Sequence, residues 1–246
     1  MSENVTPRLA EVMSALEARG SEQTRRIFAN HGCKGPQFGV KVGDLKLIIK
    51  DFKDLKTNPA LPLALWDTGN SDARYLAGLV ADPKKLSRET LQHWVEGADW
   101  SMIAEYSVAW NAAESAHGWD LGRAWIDDRA GREMVQTAGW HTLSCLAALK
   151  PDDALDLPTW EALLRGVPDR IRAAPNRARV GMVGFVIATA GGIAPLLPAA
   201  RDVAARLGKV EVDVGETNCK IPVATESIDK LVAGGHIGRK RKTVKC

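Results

Sequence analysis

Apolar residues recur along this chain at the three-and-four spacing of amphipathic helices, beginning near the N-terminus. Leu9, Val12, Met13 and Leu16 fall at i, i+3, i+4 and i+7. Gly20 ends that element, and Ser21 offers a cap to the next, which runs through Ile27 and Phe28. His31 to Gly39 holds three glycines and a proline and reads as a loop. Leu45, Ile48, Ile49 and Phe52 mark a third helix. Shorter helices are then expected over 62–68 and 72–80, and one capped by Ser87 through Trp94 and Val95. A longer one capped by Asp99 runs through Tyr106 and Trp110, and 121–126, 132–149, 158–164, 177–189 and 196–207 close the series. Only Val210 to Val214 alternates with period two. A lone strand has no sheet to join, so an extended connector is expected there.

Helices of about 10–18 residues joined by short turns describe an all-α superhelical stack of helix pairs, an α-solenoid. The stretches 72–80, 132–140 and 176–184 each open polar with an arginine and then turn small and apolar. Small residues let neighbouring helices approach, although Ala/Gly-rich core helices also produce such likeness by chance. No Pro-, Gly- or Ser-rich linker splits the chain, so one helical repeat domain is expected over 1–235, with 236–246 as a basic tail.

Composition narrows the class. A chain of 246 residues that is 45% hydrophobic can bury a full core. No apolar run approaches the roughly 18 residues of a membrane span, and Met1-Ser2-Glu3 opens no signal sequence. A soluble, cytoplasmic protein without membrane contact is expected. Cys33, Cys145, Cys219 and Cys246 are far apart with no CxxC, which argues for reduced thiols and against a zinc ribbon. No metal ligand cluster or cofactor motif is legible, so none is expected.

The net charge of +3 hides an uneven layout. Arg165, Arg170, Arg172, Arg177 and Arg179 lie in one stretch with a single acid, Asp169. Arg239, Lys240, Arg241, Lys242 and Lys245 crowd the C-terminus with no acid among them. Cations grouped this way suit a phosphate backbone, whose contacts release counterions. The plainer alternatives are a solvated face and a disordered tail.

No HExxH, GxSxG, P-loop or GxGxxG occurs. His93 and His141 each neighbour a tryptophan and read as packed or hydrogen-bonded side chains. The richest local patch is Trp94, Asp99, Trp100, Glu105, Tyr106 and Trp110. Aromatic faces with carboxylates on neighbouring turns can hold a cationic group, or can simply pack in a core.

Several stretches resemble the DNA alkylation repair family, the HEAT-like DNA glycosylases. They are Phe38-Gly-Val-Lys-Val-Gly-Asp-Leu45, the run from Leu65 to Lys85, the helix opening at Asp99-Trp100, and the run from Val212 to Pro222. The resemblance implies a curved stack of HEAT-like repeats that binds duplex DNA, alkylated or not; a monomer is expected. It implies hydrolysis of the N-glycosidic bond of N3- or N7-alkylated purines. Alkylation makes the base a cationic leaving group, and a carboxylate with aromatic faces can stabilise the oxocarbenium-like sugar. Carried onto this sequence, Trp100 and Phe185 fall on the family's aromatic positions. The family's aspartate, four residues after the tryptophan, falls on Ala104, with Glu105 about 100° further round a regular helix. The implied catalytic set is therefore Trp100, Glu105 and Phe185, with Arg170, Arg172, Arg177, Arg179, Arg239, Lys240, Arg241 and Lys242 on DNA. Losing a charge that stabilises a cationic transition state commonly costs two to three decades in rate. Three readings stay open: a glycosylase, a DNA-binding protein without excision, and a helical protein–protein scaffold.

Overall fold

The computed structural model describes residues 5–245. Among these described residues, fourteen α-helices follow in chain order. They are α1 (Val5–Arg19), α2 (Glu22–Asn30), α3 (Val42–Asp51), α4 (Ala60–Asp67), α5 (Ser71–Val80), α6 (Arg88–Gly97), α7 (Ser101–Ile103), α8 (Ala109–Glu114), α9 (Gly118–Ile126), α10 (Glu133–Leu149), α11 (Leu157–Arg170), α12 (Asn176–Gly192), α13 (Leu197–Leu207) and α14 (Ala224–Ala233). A π-helical turn, Ala104–Val108, joins α7 to α8. Among the described residues there is no strand, and 210–214 is extended connector.

The helices stack as pairs. α5, the π turn with α8, α10, α12 and α14 pack in succession as one layer, with α4, α6, α9, α11 and α13 against them. The three similar stretches fall on nearly all of α5 and on the opening halves of α10 and α12, all in the first layer. Two apolar clusters fill the stack and meet along α10, which gives Val135 and Ala138 to one and Trp140, Leu143 and Leu146 to the other. Close approach depends on small residues: a Cβ at Gly78 would lie 2.6 Å from Ser107 Cβ, and one at Gly181 would lie 2.9 Å from Trp140 Cβ.

Local chemistry sets several ends as expected. Ser21 Oγ accepts from Thr24 N, and Ser87 Oγ from Thr90 N. The loop before α3 is held by Asp72 at the start of α5, whose carboxylate accepts the backbone N–H of Phe38, Gly39 and Val40 at 2.6, 3.0 and 2.9 Å. Burial pushes the Asp72 carboxyl up, and these N–H groups pull it part of the way back.

Three expectations are corrected. The helix after Asp99 is capped at Trp100, in extended conformation, and the Asp99 carboxylate instead lies 3.5 Å from Arg74 Nη1. The helix expected over 158–164 continues to Arg170, with Pro168 inside it. A further helix, α14, follows the connector.

The basic C-terminus is also unlike a solvated tail. It runs as a strap across the C-terminal ends of successive helices. Gly238 N donates to Gly191 O at 2.7 Å, Arg241 N to Ala148 O at 2.8 Å, and Lys240 Nζ to Ala147 O at 3.0 Å. Lys245 Nζ then reaches Ala81 O and Asn111 Oδ1, each at 2.8 Å. Glu114 accepts from Thr243 Oγ1 and Val244 N, and Val244 is buried. The last carbonyls of a helix have no partner within it and carry the negative end of its dipole, so a cationic strap suits them. Cys246 lies outside the described residues.

Candidate nucleic-acid interface

Trp100 is 5% exposed. Its Nε1 donates to His31 O at 2.9 Å, and its ring lies 5.1 Å from that of Phe28. The indole is thus anchored to the end of α2 and lines a cavity of about 320 Å3. Glu105, Tyr106, Arg177 and Val180 line the same cavity.

Glu105 reaches it because of the π turn. Ala109 N bonds to Ala104 O, one residue further back than in an α-helix, which widens the turn. Ser107 lies against Gly78 of α5, and Asn111 Nδ2 donates to both Gly78 O and Ser107 O at 2.9 and 2.7 Å. The result puts Ala104 in the core at 0% exposed and turns Glu105 toward Trp100. Glu105 Oε1 lies 3.6 Å from His141 Nε2, which is within ion-pair range but longer than a hydrogen bond.

Phe185 does not join them. It is fully buried, with its ring 5.2 Å from Trp140 and 5.6 Å from Trp160, on the core side of α12. Among the residues of α12 that do line the open face, Arg177, Val180, Gly184, Ile187, Ala188 and Gly191 form one stripe at helical spacing. His141, read from sequence as a packed or hydrogen-bonded side chain, is the imidazole that faces this acid. Only the wide turn makes it so, and no local pattern signals that.

The basic residues divide. Arg170 is committed to structure: its Nη2 donates to Ile126 O at 2.6 Å and pairs with Asp127 at 2.7 Å, and its guanidinium lies over Trp140. Arg179 Nε donates to Ala174 O at 3.0 Å. Lys240 pairs with Asp152 at 2.8 Å. Arg177 lines the Trp100 cavity, while Arg172, Arg239, Arg241 and Lys242 are exposed. Asn176 and Asp213 exchange two hydrogen bonds, at 2.7 and 2.8 Å, which tie the connector to the start of α12. Gly215, at φ +73°, lies against Asn30 O at the end of α2, so the connector spans from α12 to α2 beside Trp100.

A layered stack of helix pairs with this open face is a HEAT-like repeat protein. The model of the family described as DNA alkylation repair enzyme matches residues 12–129. Uncharacterized proteins of Listeria innocua serovar 6a and Listeria monocytogenes serovar 1/2a are each 31% identical over 219 residues, covering 87% of this chain and 93% of their own. The fold matches a solved structure from a family described as related to the HEAT-like repeat DNA glycosylases, with affinity for branched DNA structures. That match has a TM-score of 0.85 and 36% identity, over 97% of this chain and 99% of the other. The chain belongs to the DNA alkylation repair family.

Proposed function

We propose that this protein binds DNA at branched or distorted sites, through the face that carries Trp100, Arg177 and the exposed arginines, and that it does so without the family's full excision set. The observation that carries this reading is Ala104. A buried methyl group stands at the family's aspartate position, and Phe185 is enclosed by Trp140 and Trp160. What remains open is a cationic face suited to phosphate. The affinity for branched DNA structures of the family to which the structural relative belongs supports the choice of substrate. Gel-shift titration of a four-way junction and a linear duplex of equal length, over a series of salt concentrations, tests it. The junction binds more tightly, and affinity falls linearly with log salt. Equal affinity for both removes branch recognition. Binding indifferent to salt removes phosphate contact.

One observation favours a second reading, excision of N3- or N7-alkylated purines. The π turn brings Glu105 onto the Trp100 cavity, where a carboxylate could stabilise an oxocarbenium-like sugar as the cationic base departs. Release of methylpurine from methylated duplex DNA tests it. Under this reading wild type releases base, and Glu105→Gln slows release about a hundredfold. No release by wild type ends it.

A further inference from the structure

A second cavity, of about 750 Å3, lies beside the first on the same face and shares Tyr106 with it. Its volume falls within the roughly 300–1,000 Å3 usual for small-ligand sites. Three features define what fits. The floor, from α12, has a flat strip: Gly184 and Ala188 project nothing beyond Cβ, and a Cβ placed on Gly184 meets nothing within 4 Å, while Ile187 and Leu231 add apolar side chains to the lining. One wall is aromatic, formed by Tyr106, 38% exposed, and Trp110, with ring centroids 5.1 Å apart. The rim is the C-terminal strap, where Arg239 and Arg241 have exposed side chains. Among the described residues no carboxylate lines the cavity. Cys145, which also lines it, is pushed up to about 12 by burial and so stays a neutral, apolar thiol.

A flat floor, an aromatic wall and an anion-seeking rim together match a planar base joined to a phosphate. We propose that this cavity takes an unpaired nucleotide of bound DNA. The base enters between the Gly184–Ala188 floor and the Tyr106–Trp110 wall, and its phosphates meet Arg239 and Arg241. A base held in a duplex cannot enter such a slot, whereas one in a single-stranded segment can. This inference rests on the DNA-binding reading and adds to it the form of DNA that the face prefers.

The probe is a forked DNA with a short single-stranded arm carrying 2-aminopurine next to the branch, compared with a fully paired DNA of the same length. Affinity and 2-aminopurine emission are followed with the full chain. Wild type favours the unpaired arm by about tenfold or more, the scale of stacking one base, and the emission changes on binding. Gly184→Leu fills the cavity from open space. It removes the preference and the emission change and leaves affinity for paired DNA as it was. The double variant Arg239→Ala/Arg241→Ala, changed only at exposed side chains, lowers the preference without filling anything, and circular dichroism checks that both variants are folded. If wild type binds paired and unpaired DNA equally, or if the preference survives both variants, the pocket assignment fails while DNA binding stands. If no DNA is bound at all, both fail.

Discussion

At residue scale the side chains that matter differ in whether they are free to act. Ala104 belongs to the same apolar cluster as Ile103 and Val108, so an aspartate there would be buried as a charge or forced neutral. Ala104→Asp is therefore expected to lower stability by about 3 kcal/mol or more and not to restore excision, read as a drop in chemical-denaturation midpoint with no base release. A variant as stable as wild type would mean that the π turn can rotate position 104 to the surface. The arginines divide by the same logic. Arg170→Ala loses a guanidinium bonded to Ile126 O and Asp127 and stacked over Trp140, and is expected to cost about 2 kcal/mol of stability. Arg172→Ala loses only an exposed charge. It should leave stability within about 0.5 kcal/mol of wild type and reduce the salt slope of DNA binding by about 0.9 if Arg172 meets a phosphate. Trp100 was legible in sequence because its motif is local. The direction of Glu105 was not, because it depends on Gly78, an element away. Asp99 failed as a cap because the extended backbone of Trp100 takes the cap position and Arg74 draws the carboxylate aside.

At the scale of elements, one buried amide joins three pieces of the fold. Asn111 is 0% exposed; its Nδ2 donates to Gly78 O and Ser107 O, and its Oδ1 accepts from Lys245. Asn111→Ala would leave two carbonyls and an ammonium without that partner, and is expected to cost about 3 kcal/mol in thermal or denaturant unfolding. The strap's last lysine also carries a pH signature. Burial lowers Lys245 from its ordinary 10.5 to about 8 when docked, against the partial pull of Glu114 and Asp82. The released strap binds more protons than the docked one between these values, so docking gains stability as pH rises from about 8 toward 10.5. Carbon-13 NMR of the lysine side chains should find one that titrates near 8, and Lys245→Ala should remove that signal. If every lysine titrates near its ordinary value, Lys245 is not docked in solution. Helix periods were read well where the apolar stripe was long, as in α1 and α10. α14 was missed because it buries only Ala224 and Ile228 and follows an irregular connector.

At the scale of the molecule, the strap is what a sequence reading could not supply. Its charge was plain, but its partners lie up to 164 residues away, and no local pattern encodes them. It connects α12, α10, α8 and the end of α5, so the strap that rims the second cavity also ties four helices of one layer together. Truncation after Gly238 should therefore be felt as stability first. The three carbonyl contacts made by Lys240, Arg241 and Lys245, the Glu114 bonds and the buried Val244 together suggest a loss of about 3–5 kcal/mol, or roughly 10 °C in a chain of this length. DNA affinity should fall as well, with a shallower salt dependence, because Arg239, Arg241 and Lys242 leave with the strap. The two readouts separate two roles. A truncated protein that melts early but binds DNA with an unchanged salt slope would leave the strap as a fastening alone, with the phosphate contacts elsewhere on the face. One that melts like wild type but binds weakly would mean that the strap lies on the helices without holding them and acts on DNA directly.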